Sequence, residues 1–389
     1  MKKTFIFLLL ILIIFGGCDT PLASTGYNGW AYSNNTWHYY QNGVMLKSGW
    51  ARDSQGWCYL DLNGSWLIEG WTQDSAGWCY IKNGYWNGQP QMAEIPSQTT
   101  LRFVVMADSR GQIEGTINME AVKKTLAELK KLSPQPSFAI IPGDLAYCKN
   151  TYNDTKAELL SFKKLITEYY PIDFYYPGFG NHEAAAGALG EKAFGEVFSE
   201  FNANFLNGYN RTVYYFDKND LRFYMLNTNN PGEDHTISDI QLNWEKNNTN
   251  YTKIHNFYFF HEPAYPTGSH VGSSLDANKL QRDKLWKVID ASINPMVFCG
   301  HEHIYTRRHI NSDFNETIEG EVFNYNKTIY QVTTGTFGAP IASQIYADTK
   351  DVDVTPEYEY HYTVVDVMGS HVQVTVFNLD GGIIDQFQQ

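Results

Sequence analysis

The sequence is short of positive charge and lacks several familiar catalytic motifs. It has 29 lysine and arginine residues against 42 aspartate and glutamate residues, for a formal net charge of −13. This excess of negative charge repels phosphate backbones and argues against a protein that coats DNA or RNA. The sequence contains no Gly-x-Ser-x-Gly elbow, P-loop or Rossmann fingerprint, so its motifs offer no nucleophilic serine or cysteine. Charged residues make up only 18% of the chain, which is too little for a disordered protein.

The chain begins with an apolar run. Two lysines precede the apolar residues 5–15, an arrangement typical of an export signal and too short for a membrane-spanning helix. A Gly-Gly-Cys sequence ends the run and resembles a bacterial lipobox, with Phe15 in place of the usual aliphatic residue. The resemblance implies a signal peptide at 1–18 and lipidation of Cys18 at the cell envelope; ordinary cleavage is the alternative.

Tryptophan is concentrated before residue 90, where the sequence repeats itself every 20 to 21 residues. Each unit combines aromatic residues with an Asn-Gly pair, at 42–43, 63–64 and 83–84. This pattern predicts a small β-hairpin in each unit. Units of this size must stack to bury a core.

The repeats at 26–88 resemble the choline-binding or cell-wall-binding repeats of Gram-positive surface proteins. In that family aromatic side chains form a cage for a quaternary ammonium ion. The resemblance implies binding to a choline-bearing wall or surface polymer through Trp30, Trp37, Trp50, Trp57, Trp71 and Trp78. Cys58 and Cys79 stand where the family has a tyrosine, and the alternative is that the aromatic residues only hold the hairpins together.

Polar residues and prolines at 89–100 predict a linker, and 101–389 are predicted to form one α/β domain. Predicted strands cover 101–106, 137–141, 174–176, 222–226, 254–260 and 295–299. Predicted helices lie near 119–129, 157–169, 237–246 and 283–291, and 360–377 predict a β-hairpin. Polar clusters follow the apolar runs, so the functional site is expected on loops at one edge of the sheets.

The segment Gly300-His301-Glu302-His303 follows the apolar residues 295–299. This order predicts a buried strand that presents imidazoles at its end. In an extended segment His301 and His303 share one face, while Glu302 points the other way. Two imidazoles that reach one cavity are typical of a metal site.

Four further polar motifs precede this segment. They are Asp108, Gly143-Asp144, Gly180-Asn181-His182 and His261. Their oxygen and nitrogen donors suit two ions among iron, zinc and manganese better than magnesium or calcium.

The order of these motifs resembles the calcineurin-like metallophosphoesterase superfamily across nearly the whole domain. Most members have a histidine two residues after the first aspartate, where this chain has Arg110. Asp144 and Tyr147 instead match the Gly-Asp-x-x-Tyr motif of purple acid phosphatases. The resemblance implies a two-sheet β-sandwich flanked by helices, with a dinuclear centre of iron paired with zinc, manganese or iron.

The resemblance also implies a role for each residue. The first ion would bind Asp108, Asp144, Tyr147 and His303, and the second would bind Asn181, His261 and His301, with Asp144 as the bridge. His182 would contact the substrate and protonate the leaving group, and His270 would bind the substrate. Arg110 would either hold a phosphate oxygen or pair with an acid.

The sequence therefore predicts an exported, surface-anchored phosphomonoesterase, with membrane contact only through its lipid anchor. One alternative is a phosphodiesterase acting on wall polymers, nucleotides or lipid headgroups, and another is a non-catalytic surface-binding protein. No nucleic-acid binding is expected apart from a possible substrate. Cys148 and Cys299 flank motif residues and are either buried thiols or a disulfide.

Overall fold

The computed structural model describes residues 26–33, 36–61, 64–74, 76–86, 88 and 100–389. The predicted signal peptide, Cys18 and nearly all of the predicted linker lie outside these residues. The chain divides into two compact units, with the boundary after Leu67. Among the described residues, no helix is long and apolar enough to cross a membrane.

The smaller unit consists of hairpins. Its strands are β1 (Gly29–Ser33), β2 (Thr36–Gln41), β3 (Val44–Met45), β4 (Gly49–Arg52) and β5 (Trp57–Leu60). Strands β1, β2 and β3 form one antiparallel sheet, and β4 pairs with β5. Asn42 and Gly43 join β2 to β3 with φ values of +53° and +81°, as a type I′ turn requires. Asn63 of the second predicted turn lies outside the described residues.

The third hairpin falls within the larger unit. Its strands are β6 (Gly70–Asp74), β7 (Gly77–Lys82) and β8 (Tyr85–Trp86). Asn83 and Gly84 form a second turn with φ values of +54° and +86°. Trp78 is only 5% exposed and packs in the main core of the larger unit. This hairpin is therefore part of the large unit's core, whereas the sequence grouped it with the other repeats.

The remaining strands lie in the larger unit. They are β9 (Thr100–Val105), β10 (Ala139–Ile141), β11 (Tyr175–Pro177), β12 (Asn204–Phe205), β13 (Tyr214–Lys218), β14 (Leu221–Met225), β15 (Asn229–Asn230), β16 (Glu233–Asp234), β17 (His255–Phe259), β18 (Pro295–Cys299), β19 (Tyr305–Ile310), β20 (Glu316–Ile318), β21 (Glu321–Phe323), β22 (Ile329–Thr334), β23 (Val352–Glu357), β24 (His361–Met368), β25 (His371–Asn378) and β26 (Ile383–Gln388).

Two large sheets form the sandwich. One has the order β11-β10-β9-β24-β25-β26, and the other has the order β12-β13-β14-β17-β18-β22-β19-β23. Phe103 of the first sheet packs against Phe223 and Phe257 of the second, with ring centroids 5.2 Å apart in both pairs. Burial of these rings joins the inner faces of the sheets.

Helices cover the outer faces. They are α1 (Met119–Leu129), α2 (Tyr152–Thr167), α3 (Ala188–Val197), α4 (Asp239–Asn247) and α5 (Lys279–Ala291). Apolar residues of α1 recur at helical spacing, as Val122, Leu126 and Leu129, and all are fully buried. The fold is therefore the predicted α/β sandwich flanked by helices.

Element boundaries differ from the predictions at a few places. Helix α2 begins at Tyr152 rather than 157, because Thr151 accepts a hydrogen bond from the Asp154 amide and caps its first turn. The predicted tail hairpin is present as β24 and β25, with Thr363 paired to Val376. The sequence did not predict α3 or the strands β19, β22 and β23.

Candidate metal centre

The candidate ligands lie at the carboxyl ends of parallel strands. In the first sheet, β9, β10 and β11 run parallel to one another. In the second, β14, β17, β18 and β22 do the same. Each motif follows one of these strands, so the loops meet at one edge of the sandwich, where open α/β sheets place their sites.

Four ligand residues have left-handed backbone conformations. The φ values are +62° at Asp108, +53° at Asp144, +73° at His301 and +51° at His303. Such a conformation costs about 1–2 kcal/mol for a non-glycine residue and is concentrated at functional sites. The sequence predicted an extended segment at 301–303, and this is wrong: the chain turns sharply as it leaves β18, because each histidine is left-handed.

Asp108, Asp144 and His303 form what we call the carboxylate cluster. One ligand atom from each of the three lies within 4.8 Å of the others, and all three residues are buried. Asp108 Oδ1 lies 3.6 Å from His303 Nε2, which is too long for a hydrogen bond. This buried oxygen has no hydrogen-bond partner among the described residues.

Asn181, His261 and His301 form what we call the amide cluster. Asn181 Oδ1 lies 2.9 Å from His261 Nε2 and 3.0 Å from His301 Nδ1. His261 Nδ1 faces the carbonyl oxygen of Pro142 at 3.1 Å. This contact fixes the ring with Nε2 towards the site, as in many metal-binding histidines. Asp144 Oδ1 is 3.3 Å from the same Nε2 atom, so Asp144 touches both clusters.

Close approach of the backbone requires glycine beside both carboxylates. A Cβ atom on Gly300 would overlap Asp108 Oδ2, and one on Gly180 would overlap Asp144 Oδ1. The Asp108 carboxylate also accepts a hydrogen bond of 2.9 Å from the His301 amide. The two acids are therefore held by backbone atoms as well as by side chains.

Burial and charge act on the two acids in opposite directions. Burial raises the pKa of Asp108 to about 8, opposed by His261 and reinforced by the Asp144 carboxylate. Burial also acts to raise the pKa of Asp144, but His261 and His182 outweigh it and hold that pKa well below its usual range. A bound cation would favour ionised Asp108 and release its proton.

These observations fit a metal site. The carboxylate cluster offers an unpartnered buried oxygen, a second carboxylate and an imidazole, a donor set suited to Fe, Zn or Mn. The amide cluster offers a carbonyl oxygen and two imidazoles within reach of Asp144. The metal's identity is not determined by this arrangement.

Three further predicted residues surround Asp144. Arg110 Nε lies 3.7 Å and His182 Nε2 lies 3.8 Å from Asp144 Oδ2. The Tyr147 ring centroid lies 4.3 Å from the His182 ring centroid, and the Arg110 guanidinium lies over the Tyr147 ring, 5.0 Å from its centroid. The partly buried His182 and Tyr147 therefore form one side of the site, next to Arg110.

His270 lies beside the amide cluster. Its ring centroid is 4.1 Å from that of His301 and 6.5 Å from that of His303. His270 Nδ1 is buried without a hydrogen-bond partner among the described residues. The structure thus brings the six aspartate, asparagine and histidine candidates, Arg110, His182 and His270 to one edge of the sandwich, and it places Tyr147 there through the contacts of its ring with His182 and Arg110.

Three buried glutamates near the ligands hold neighbouring loops. Glu183, Glu262 and Glu302 are each 0% exposed. Glu183 accepts hydrogen bonds from the backbone amides of residues 144, 145, 146 and 180. Glu262 contacts the side chains of Asn229 and His235. Sequence reasoning assigned no role to Glu183 or Glu262, although a glutamate just after a ligand residue was the available signal.

Glu302 points away from the cavity, as predicted. Its carboxylate accepts hydrogen bonds of 2.8 Å from the Thr267 amide and 2.7 Å from the Gly268 amide. Burial raises the pKa of Glu302, and the backbone amides of Thr267, Gly268 and His270 oppose that rise. The loop that leads to His270 is therefore attached to the strand end that carries His301.

The predicted wall-binding tryptophans are distributed over both units. In the smaller unit, Trp30 packs on Tyr39 and Trp66 with centroid distances of 5.1 Å and 5.0 Å. Trp57 is 42% exposed and lies under the Arg52 guanidinium. Trp37 and Trp50 are half-buried, whereas Trp78 is in the core of the larger unit and the side chain of Trp71 lies outside the described residues.

The four cysteines that the structure describes are buried thiols and form no disulfide with one another. Burial holds the pKa values of Cys148 and Cys299 well above the usual range. Of the two alternatives for this pair, the inert thiol is the one observed.

Comparison with known proteins identifies a family for the chain and structures with a similar fold. A family model described as calcineurin-like phosphoesterase matches residues 101–305. A purple acid phosphatase from yellow lupin seeds has a similar fold, with a TM-score of 0.53 and 16% identity over 80% of this chain and 56% of its own. The chain thus spans little more than half of that enzyme's length. A PhoD structure matches with a TM-score of 0.55 and 12% identity over 79% of this chain and 76% of its own. No curated protein sequence matches the chain.

Proposed function

We propose that this protein, which belongs to the calcineurin-like phosphoesterase family, hydrolyses phosphate monoesters in the manner of purple acid phosphatases. The family, the fold and the buried Asp108, Asp144 and His303 make it a metal-dependent phosphoesterase. We propose in addition that the protein prefers monoesters, holds an iron-containing metal pair and is located at the cell envelope.

The observation that carries the proposal is the group of side chains around Asp144. The Tyr147 ring contacts both the His182 ring and the Arg110 guanidinium, and His182 and Arg110 each lie within 3.8 Å of this acid. A phenol oxygen, an imidazole and a guanidinium supply a hard ligand for iron, a proton donor and a bidentate phosphate donor. Arg110 stands where most members of the superfamily have a histidine, so Tyr147 is the candidate that completes the first ligand set.

Each residue has a defined part in this proposal. Asp108, Asp144, Tyr147 and His303 would hold one ion, and Asn181, His261 and His301 the other. Bound metal ions supply Lewis-acid charge to the phosphate oxygens. Arg110 and His270 would orient the phosphate, and His182 Nε2 would donate a proton to the leaving oxygen. Burial of the ligands keeps bulk water from weakening these charge interactions.

The test compares hydrolysis of a chromogenic phosphate monoester and the matching diester by the full chain. A monoester preference that is lost after chelation and restored by iron with zinc or manganese is the expected result. A diester preference would contradict the proposal and favour the phosphodiesterase alternative. Inactivity on both esters with two metal ions bound would favour a binding protein.

Two variants sharpen that test. Tyr147→Phe should lower the iron bound per chain, because it removes the phenol oxygen while keeping the ring against His182. His182→Ala should slow esters with poor leaving groups about 10²-fold or more and activated esters far less. Equal losses on both kinds of ester would argue against a proton donor at His182.

We further propose that the hairpin repeats bind a choline-bearing surface polymer. The supporting observation is the aromatic group of Trp30, Tyr39 and Trp66, in which the Trp30 indole donates a hydrogen bond of 2.9 Å to Asp53. Aromatic faces with a nearby carboxylate attract a quaternary ammonium ion. Retention on a choline-substituted resin with release by free choline, and loss of retention in Trp30→Ala, would support binding. Passage of the wild type through the column would contradict it.

Export and lipidation complete the proposal, and they are supported by the sequence at 1–18. Cells that make the wild type should incorporate labelled fatty acid into the protein, and Cys18→Ala should abolish that label. A wild type that takes up no label would contradict the lipid anchor.

A further inference from the structure

The loop from Thr267 to Ser274 is attached to the metal centre at both of its ends. At its start, the Glu302 carboxylate accepts the amides of Thr267 and Gly268, one on each oxygen, and the Thr267 hydroxyl at 3.3 Å. At its other end, the carbonyl oxygen of Ser273 lies 3.4 Å from His301 Nε2. The loop is therefore tied to two consecutive residues of the His-x-His segment.

His270 lies between these two attachments. Its carbonyl oxygen accepts hydrogen bonds of 2.9 Å from the Ser273 amide and 3.2 Å from the Ser274 hydroxyl. These hydrogen bonds close the second half of the loop on itself. The ring centroid of His270 lies 4.1 Å from that of His301. With the second half closed internally, the orientation of His270 depends on how the first half, 267–268, is held.

The first half of the loop is held by the Glu302 side chain and by the backbone amides of residues 347 and 348. An added Cβ on Gly268 would lie 3.2 Å from Glu302 Oε1 and 3.2 Å from Ile304 Cδ1, so the loop runs close along the strand end. The Thr267 carbonyl oxygen accepts hydrogen bonds of 2.8 Å from Ala347 and 3.2 Å from Asp348. Two short hydrogen bonds from backbone amides to a fully buried carboxylate are strong interactions.

We propose that Glu302 is a positioning residue that sets His270 over the metal centre. In the His-x-His segment, the two histidines would face the ions, and the intervening glutamate faces outward and holds the loop that carries His270. One turn of chain thereby fixes the metal ligands and the phosphate-binding imidazole relative to each other. This inference rests on the proposed function, because it takes His270 to bind the phosphate group.

The chemistry of the contact predicts which substitutions break it. Glu302→Gln keeps the shape but places an amide NH₂ opposite one of the two backbone amides, where donor faces donor. Glu302→Asp keeps the charge but shortens the side chain, so it reaches at most one amide well. Both changes should release the loop while leaving His301 and His303 in place.

The decisive experiment is a double-mutant cycle on the metal-loaded full chain. Glu302→Gln and His270→Ala should each raise the KM for a chromogenic monoester by about 10-fold to 100-fold, with smaller changes in kcat. If Glu302 acts through His270, Glu302→Gln should cost little more in the His270→Ala background. Losses that multiply across the two sites would overturn the proposal.

The same double-mutant cycle can be measured without catalysis, as the binding of inorganic phosphate. The two variants should weaken phosphate binding to a similar degree, with metal content per chain unchanged. An inactive wild type would refute the proposed function, while the phosphate cycle would still decide the role of Glu302. Loss of metal in Glu302→Gln would mean that this residue supports the ligands instead, and would overturn the proposal.

Hydrogen exchange tests the contact directly, even if a variant does not fold. In the wild type, the Thr267 and Gly268 amides should exchange much more slowly than the amide of exposed Ser269. Equal exchange rates would overturn the proposal. Glu245→Gln is the matched control, because Glu245 is a buried acid on α4 that accepts a hydrogen bond from Tyr258. It should leave exchange at 267–268 and the KM unchanged.

Discussion

The two ligand clusters lie at the same edge of the sheets but are closed in different ways. In the amide cluster, Asn181 Oδ1 lies within 3.0 Å of nitrogens of both His261 and His301. In the carboxylate cluster, Asp108 Oδ1 stays 3.6 Å from His303 Nε2 and has no hydrogen-bond partner among the described residues. The carboxylate cluster can therefore take a cation without losing a hydrogen bond, whereas the amide cluster must give up two.

For the proposed two-ion centre, this difference predicts that the two ions would be bound with unequal strength. Loss of two hydrogen bonds at about 1 kcal/mol each would weaken the amide cluster by a factor on the order of 30. Charge acts in the same direction, because two carboxylates attract a cation more strongly than a neutral amide does. Asp144 touches both clusters, so a change at this residue should affect both of them.

The largest expected effect is that of Asp144→Asn. The change removes the negative charge shared by both clusters, so we expect both ions to be lost and kcat to fall on the order of 10³-fold. Metal content and monoester turnover measure this. Asp239→Asn is the control, because Asp239 is 63% exposed in its side chain and remote from the ligands in sequence. Retention of one tightly bound ion by Asp144→Asn would show that the clusters are independent.

A smaller effect is expected from Asn181→Ala. It removes the carbonyl ligand of the amide cluster but leaves Asp108, Asp144 and His303 intact. The variant should keep one ion per chain and lose about 10-fold to 100-fold in activity. In the wild type, calorimetric metal titration should show two steps. A single step of two equal sites would contradict the unequal clusters.

Much of this site was predictable because its signals are local. Each ligand follows an apolar run, and parallel strands bring such positions to one edge. What sequence reasoning missed depends on tertiary contacts. The left-handed conformations of His301 and His303 occur where the chain passes close to Asp108, and the burial of Glu183 depends on a loop 39 residues away at Asp144.

In the fold, too, elements with a local sequence signal were predicted and those that depend on tertiary contacts were not. Strand β18 is a continuous apolar run and was predicted to the residue, and β17, which carries three consecutive aromatic residues, was predicted to within one residue at each end. Strand β19 was not, because Arg307 and Arg308 interrupt its apolar pattern. Their charges are satisfied only in the folded chain, by Asp385 for Arg307 and by backbone carbonyls and Asp348 for Arg308.

A further prediction concerns the glycine beside the carboxylate cluster. Gly300→Ala places a Cβ where Asp108 Oδ2 lies, so it should displace that acid and weaken the first ion by about tenfold. The amide cluster should keep its affinity. Metal titration of Gly300→Ala against Gly49→Ala, whose added Cβ would meet only a backbone oxygen at 3.5 Å, measures the effect. Weakening of both steps would mean that the clusters move together.

A separate effect, on folding stability instead of metal binding, is expected outside both clusters, at the buried His361. Burial lowers its pKa from 6.5 to about 4, and its Nε2 has no hydrogen-bond partner among the described residues. Between these two pH values the unfolded chain binds a proton that the folded chain does not. The contribution of neutral His361 to stability is therefore complete above about pH 6.5 and is lost as the pH falls towards about 4, by roughly 1.4 kcal/mol per pH unit.

Measurements on chelated protein remove the contribution of bound metal to the stability. Urea unfolding from pH 7 to pH 4.5 should give a stability that falls with acid in the wild type and falls less steeply, by about one proton, in His361→Asn. Asparagine can still donate to the Glu359 carbonyl oxygen that His361 Nδ1 contacts at 2.9 Å. His371→Gln, at an exposed histidine, should keep the wild-type slope. Identical slopes for all three proteins would place the acid sensitivity in the clusters, where burial lowers the pKa values of His301 and His303, instead of in the sandwich that supports them.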